Sequence, residues 1–212
     1  MNKLLIIGAG GHGKVVADTA QASGKWSSIA FLDDQHILKK NYPFPVLGDI
    51  EHAFKCVKDY NYIAVAIGDN QRRVNLLKKF KDFGFKLPAI IHPSAVISKY
   101  SIIDEGSVIF ANCVINANAV ISFGCIINTA CTVDHDCILG AGVHLSPGVN
   151  LAGGVRIGDF CWIGIGATII QQITIDQESI VGAGAVIIEN VPSTSTVVGV
   201  PGRVIKRFNN EV

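Results

Sequence analysis

From Ile91 to Ile187 an aliphatic residue returns at every sixth position without interruption: Ile91, Ile97, Ile103, Ile109, Ile115, Ile121, Ile127, Val133, Leu139, Leu145, Leu151, Ile157, Ile163, Ile169, Ile175, Val181 and Ile187. That spacing fits neither the 3.6-residue turn of a helix nor the alternation of a free strand, and a short fixed period marks a solenoid. Four places after each aliphatic stands a residue that is mostly small: Ala95, Ser101, Ser107, Cys113, Ala119, Cys125, Cys131, Cys137, Val143, Val149, Val155, Cys161, Ala167, Ile173, Ser179 and Ala185. A large aliphatic to fill an interior and a small residue to let the chain turn inside it are what a short strand and a tight corner require. Each unit of six then forms one flat side of a prism.

This pattern resembles the hexapeptide-repeat acyltransferases, whose left-handed parallel β-helix uses three units per coil. The resemblance implies roughly 18 residues per coil and about five coils. In that fold the residue before each aliphatic points outward. Those residues run Val96, Ile102, Val108, Val114, Val120, Ile126, Thr132, Ile138, then His144, Asn150, Arg156, Trp162, Thr168 and Thr174, turning from apolar to polar at His144. An outward apolar strip must be covered. Neighbouring protomers are the preferred cover, and packing of the first domain on the strip is the alternative.

The 212 residues, 49% of them hydrophobic, suit one or two domains with a sizeable core. The apolar start, Leu4 to Ile7, is cut by Gly8, so neither a signal-peptide core nor a membrane span forms there, and a cytoplasmic location is the default expectation. Five of the six cysteines fall on the small position of the repeat and only Cys56 lies outside it, so they read as small buried hydrophobes, not disulfide partners. With no Cys-x-x-Cys pair, no zinc knuckle is implied. Residues 1–90 hold 13 Lys+Arg against 8 Asp+Glu, whereas 91–187 hold 2 against 7, which places the basic surface in the first domain. A solvated face or an anion site accounts for it. Without a dense basic run or interleaved aromatics, nucleic acid is not expected.

In the first ninety residues, 3–8 reads as a strand, 14–23 as a helix, 29–32 and 62–67 as strands and 70–83 as a helix, giving a small α/β unit with a parallel sheet. Between the first strand and helix, Gly8-Ala9-Gly10-Gly11-His12-Gly13-Lys14 satisfies Gly-x-Gly-x-x-Gly, a loop whose amides can close on a phosphate. Asp33 lies 20 residues beyond Gly13, where dinucleotide-binding folds keep an acidic residue for a ribose hydroxyl. A dehydrogenase needs a fuller sheet and a place for a hydride acceptor, so a nucleotide site without redox chemistry is favoured over a mere tight turn. The loop also fits Gly-x-x-x-x-Gly-Lys, but Val15 stands where a nucleotide hydrolase needs Ser or Thr for magnesium. Pro88, His92 and Pro93 mark a short join to the solenoid.

Within the repeats the informative polar residues are Asn128, Asp134-His135-Asp136, His144 and Gly153-Gly154. A carboxylate beside an imidazole can fix its tautomer and raise its basicity, as a general base requires. His135 and His144 are nine residues apart, half of an 18-residue circuit, so within one protomer they fall on opposite sides. Between two protomers of a threefold ring they can share a composite site.

The whole chain resembles the sialic acid O-acetyltransferase and UDP-4-amino-sugar (bacillosamine-type) N-acetyltransferase family. The marks are Gly10-Gly11-His12-Gly13, Phe31-Leu32-Asp33-Asp34, Ile67-Gly68-Asp69-Asn70, Ile91-His92-Pro93, Asn128-Thr129, His135-Asp136-Cys137 and Gly199-Val200-Pro201-Gly202. The resemblance implies an α/β half-Rossmann domain (1–88) that binds a nucleotide-sugar, a left-handed parallel β-helix (91–191), and a C-terminal cap and tail (192–212). It implies a homotrimer with sites between subunits, acetyl-CoA as cosubstrate, and acetylation of the 4-amino group of a UDP-linked amino-dideoxy sugar, with no metal and no membrane partner. Carried over, His135 is the base, Asp136 raises its basicity and Asn128 lines the site. Gly10, Gly11, His12, Asp33, Asp34 and Gly68 contact the nucleotide-sugar. His144, Gly153, Ile165, Ala183 and Gly184 contact acetyl-CoA. Family members often carry Glu where Asp136 stands, one methylene longer. Cys137 is close enough to be considered as a nucleophile, but its repeat position points it inward. Competing readings are O-acetylation of a sialic acid, a zinc enzyme on the same solenoid, which His92, His135 and His144 are too dispersed to support, and a nucleotide-sugar-binding scaffold without catalysis.

Overall fold

The computed structural model describes residues 2–35 and 43–207, so the last five residues of the expected tail lie outside the described residues. The chain opens with strand β1 (Lys3–Ile7), helix α1 (Gly11–Ala22), strand β2 (Ser28–Leu32), a short helix α2 (Ala53–Cys56), strand β3 (Tyr62–Val65) and helix α3 (Asn70–Asp82). The three strands form a parallel sheet in the order β2-β1-β3. β1 is the central strand, and Leu4, Leu5, Ile6 and Ile7 are all buried, the continuous apolar run expected of a sheet covered on both faces. α1 starts three residues earlier than its apolar period suggests, because Gly11 and His12 already adopt helical geometry behind the uncapped Gly10. α2 was not anticipated; four residues are too few to show a period.

From Ile90 to Ile187 the chain folds as two-residue strands, and the second residue of each is one of the aliphatics that recur every sixth position. They stack as a left-handed parallel β-helix with three faces. One face is an eight-stranded sheet whose last two members are a C-terminal hairpin (Ser195–Val198 and Arg203–Arg207); the others have six and five strands. The column therefore makes between five and six turns. From Ile109 onward every aliphatic of the period is buried, and so are the small residues of the corners, giving one continuous apolar interior. Ile91, Ile97 and Ile103, in the first turn, are only half-buried. All six cysteines are free and buried.

The outward residues do not form one strip. Successive members fall on three successive faces, because each unit turns the chain through one corner. On the first face Ile90, Val108 and Ile126 are buried in one cluster with Val16, Ala17 and Ala20 of α1, so the first domain covers this part. On the other two faces Val96 and Ile102 stay 65% and 62% exposed, surface that this chain alone leaves uncovered. Among the described residues no helix is long and apolar enough to cross a membrane.

The glycine-rich loop packs Gly13 directly against the Gly8 backbone. A Cβ built on Gly13 would stand 2.0 Å from the Gly8 carbonyl oxygen, whereas one on Gly10 meets nothing within 4 Å. Gly13→Ala should therefore lower the melting temperature sharply, by the equivalent of about 1–3 kcal/mol or more, while Gly10→Ala should melt close to the parent. Thermal unfolding of the two variants checks this.

Candidate active site

Because the coil repeats every 18 residues, corners stack into three columns linked by backbone hydrogen bonds. One runs through Thr129, Pro147-Gly148, Ile165-Gly166 and Gly184, with Gly148 N–H donating to Thr129, Gly166 N–H to Pro147 and Gly184 N–H to Ile165. A second runs through Ala117, His135-Asp136, Gly153-Gly154 and Gln172. The third, through Glu105, Phe123-Gly124, Ala141-Gly142, Phe160 and Glu178, faces α3. Asn128, Ile165, Ala183 and Gly184 thus share the first column, and His135, Asp136 and Gly153 the second. His144 lies on the first face, paired with Ile126 and Trp162. The structure divides the residues expected at one site between two regions of the chain.

At the second column, Asp136 adopts φ +61°, which turns its carboxylate back toward the preceding ring. Its Oδ2 lies 2.7 Å from His135 Nδ1, and its Oδ1 accepts from Asn118 Nδ2 at 3.2 Å. A carboxylate only accepts, so Nδ1 carries the proton and Nε2 keeps a lone pair toward solvent. Asp136 reaches the ring despite its shorter side chain. Asp134 does something else: its Oδ1 accepts from the His135 backbone N–H at 2.7 Å and from Asn116 Nδ2 at 2.8 Å, fixing the corner. The Asp136 hydrogen bond, with the Asp134 charge second, holds the His135 pKa above its ordinary 6.5. Directly above, Gly153 leaves room for the ring, since a Cβ there would meet Nε2 at 2.6 Å. Cys137 points inward as its repeat position requires, its thiol against the Ala152 carbonyl and its pKa raised by burial.

Two concavities flank the first domain. The smaller, about 270 Å³, lies beyond the carboxyl ends of the parallel strands and is lined by Gly8, Gly10, Asp33, Asp34, Ile67 and Arg72, the place where such sheets bind ligands. Asp33 braces the loop, accepting from Ala9 N–H at 2.7 Å and Gln35 N–H at 2.8 Å. The larger, about 570 Å³, is a cleft between the loop after β3 and the solenoid, lined by Gly68, Asn70, His144, Phe160, Trp162 and Ile180. Gly68 and His144, assigned to different substrates by resemblance, face this one cleft.

His12 departs from its expected surroundings. Its ring packs on Phe110 at 5.6 Å and on His144 at 6.5 Å between centroids, and His144 stacks on Trp162 at 6.0 Å. Both Nε2 atoms are buried without a hydrogen-bond partner. Burial, reinforced by the Arg73 charge, lowers His12 to about 4 and His144 to about 3. Both rings are therefore neutral at physiological pH, whereas His135 is solvent-exposed and basic. Sequence reasoning missed this pair because helical and solenoid periods carry no information on contacts across the domain junction. Among the described residues no group of three or more His, Cys, Asp or Glu is placed to hold a metal.

The family model for the PglD N-terminal domain matches residues 3–80. The acetyltransferase domain of PglB from Neisseria gonorrhoeae, solved with acetyl coenzyme A, is 45% identical over 97% of this chain and 100% of that one, with a TM-score of 0.93. A single-histidine variant of perosamine N-acetyltransferase from Caulobacter crescentus, solved with CoA and GDP-perosamine, is 38% identical over 97% of this chain and 98% of that one, at 0.92. Serine acetyltransferase from Bacillus subtilis is 43% identical over 56 residues, 26% of this chain and 26% of its own length, so the chain spans about a quarter of such curated relatives.

Imidazole NMR titration separates the three environments. His135 should titrate above 6.5 and move to lower pH in Asp136→Asn, while His12 and His144 stay neutral from pH 8 to 5. Since the last two have folded pKa values below the unfolded 6.5, stability is unaffected by them above that pH and declines as pH falls from 6.5 toward about 4 for His12 and about 3 for His144. A His135 resonance below 6.5 contradicts the assignment.

Proposed function

Because the chain belongs to the hexapeptide-repeat sugar acetyltransferases that carry a PglD-type N-terminal domain, we propose that it transfers acetyl from acetyl-CoA to the 4-amino group of a nucleotide-linked amino-dideoxy sugar, UDP-linked and made in the cytoplasm. The observation that carries this reading is the His135–Asp136 pair beneath Gly153, standing on a different column from Asn128, Ile165 and Ala183. Neither set makes a complete site in one chain. In a homotrimer, the His135 corner of one protomer meets the His144 face of the next, and the exposed Val96 and Ile102 lie on faces available for such packing.

The nucleotide occupies the pocket at Gly10, Gly11, Asp33 and Asp34, with phosphate near the amides at the start of α1. Its sugar extends past Gly68 and His12 toward the thioester held by His144, Ile165, Ala183 and Gly184. The amine nitrogen attacks the thioester carbonyl while His135 Nε2 removes its proton, with Asp136 stabilising the imidazolium that forms. The Gly153 N–H faces the developing oxyanion. Collapse breaks the carbon–sulfur bond, His135 returns the proton to the departing thiolate, and an acetamido sugar and coenzyme A leave. The exposed, raised-pKa His135 supports the base role better than either buried neutral histidine. The perosamine relative holds a GDP-linked sugar, so turnover of UDP- and GDP-linked 4-amino sugars and of sialic acids decides the acceptor.

His135→Ala should fold, trimerise and bind nucleotide, yet lose roughly 10²- to 10⁴-fold in turnover. Mixed trimers of His135→Ala and His144→Ala subunits should regain part of the activity that each variant lacks alone, because one type of interface keeps both histidines. Near-parent turnover by His135→Ala, or mixed trimers as inactive as their parents, contradicts the composite site.

A further inference from the structure

α3 lies along the third column of corners, and its contacts are repeated at 18-residue intervals. Gly106, Gly124 and Gly142 leave room for it: a Cβ at the first two would meet the Leu77 side chain at 3.0 and 2.8 Å, and one at Gly142 would meet Val74 at 2.9 Å. At the next corner the residue is Phe160, and there α3 has reached its first residue, Asn70.

Along this track runs a hydrogen-bond network that the proposed chemistry does not use. Arg73 is 1% exposed and has no carboxylate partner among the described residues. All five of its N–H groups are directed at neutral oxygens. Nε donates to Gly124 O at 2.8 Å, one Nη2 proton to Gly142 O at 2.7 Å and the other to Asn70 Oδ1 at 2.9 Å. Nη1 donates to Ile67 O at 3.0 Å and Gly68 O at 3.3 Å. Asn70 Nδ2 then donates to Phe160 O at 2.9 Å and Cys161 O at 3.1 Å. The hydrogen bonds of this buried guanidinium all go to carbonyl and amide oxygens, and desolvation, offset in part by the Asp69 charge, brings its pKa down to about 10. Lysine has three donors and no planar fork, so it cannot reproduce this set.

Most of these acceptors adjoin the pockets. Ile67 lines the nucleotide pocket and Gly68 the cleft. Gly142 stands two residues before His144, and Cys161 one residue before Trp162. Seven hydrogen bonds of one Arg and one Asn, six of them to backbone carbonyls, thus tie the wall of the nucleotide pocket to the backbone that carries the acyl-side residues, across three turns of the solenoid.

We propose that Asn70 and Arg73 are positioning residues that set the distance and orientation between the two bound substrates. This rests on the reading that the first domain holds the nucleotide-sugar and the solenoid holds acetyl-CoA. Neither residue needs to touch a reacting atom. A shift of about 1 Å between bound reactants is enough to lower a rate about 100-fold.

The test uses the full chain with Asn70→Ala, which leaves Arg73 four of its acceptors, and Arg73→Lys as a second variant. Measured are the affinities for coenzyme A and for UDP by calorimetry, kcat and KM with the acetylated sugar, the melting curve, and amide exchange of strands Ile90–Ile91, Val108–Ile109 and Ile126–Ile127. Arg73→Lys, at a buried side chain that lines neither pocket, is expected to unfold cooperatively and bind each ligand within about threefold of the parent, yet lose about tenfold or more in kcat, and both variants are expected to show faster exchange in the strands under α1. An unchanged kcat in Arg73→Lys overturns the proposal, and so does a loss of its kcat accompanied by an equal loss of either affinity. Should the parent acetylate no nucleotide sugar, the functional reading fails; the clamp is then decided by exchange alone, upheld if Asn70→Ala exposes those strands and overturned if it does not.

Discussion

A parallel coil with three short sides holds together through hydrogen bonds from a residue to the one preceding its counterpart one turn on, such as Val108 N–H to Cys125 O and Ile126 N–H to Val143 O. The interior is filled by one aliphatic and one small residue per side. These requirements leave only the corners and the outward strand positions free to vary. Where a residue sits in the 18-residue cycle therefore decides what it can do. The same rule that makes the column stable puts His135 on a different corner from Asn128 and away from the face that carries His144.

The junction with the first domain sorts the imidazoles by environment. His12 and His144 sit beside one another and near the buried Arg73, so desolvation and like charge both disfavour the imidazolium. His135 stands in water with one carboxylate on its ring and another on its backbone amide, and its cation is favoured. Three histidines of ordinary chemistry are thereby divided into two neutral buried rings and one exposed ring whose cation is favoured. The buried guanidinium contributes to that division while fixing the loop after β3 against the solenoid.

Much of this was legible in the residues. The sixth-place aliphatics marked every solenoid strand, because a buried side chain at a fixed period is a direct image of the coil. The glycine-rich loop and Asp33 marked the end of the sheet where the small pocket lies, although both Asp33 oxygens accept backbone N–H groups instead of standing free. The outward apolar residues were read as one strip and are three, since the period shows that a residue faces out but not toward which face. The cover over Ile90, Val108 and Ile126 comes from α1, and the contact of His12 with His144 follows from that docking. The 18-residue recurrence of Gly106, Gly124 and Gly142 did not mark the junction by itself, because Gly148, Gly166 and Gly184 recur the same way on another corner, with the same positive φ and no close neighbour. Arg73 carried no mark either, because a cation on a helix rich in lysine looks solvated until its five acceptors are seen.

The central claim is that one protomer supplies the base and the next supplies the acyl face, and a crystal structure with coenzyme A and a 4-amino nucleotide sugar bound tests it most directly. Expected is the thiol in a groove between two protomers, with His135 of one and His144 of the other both against the reacting groups. Coenzyme A lying wholly on a single chain, with His135 facing solvent away from the sulfur, would contradict it.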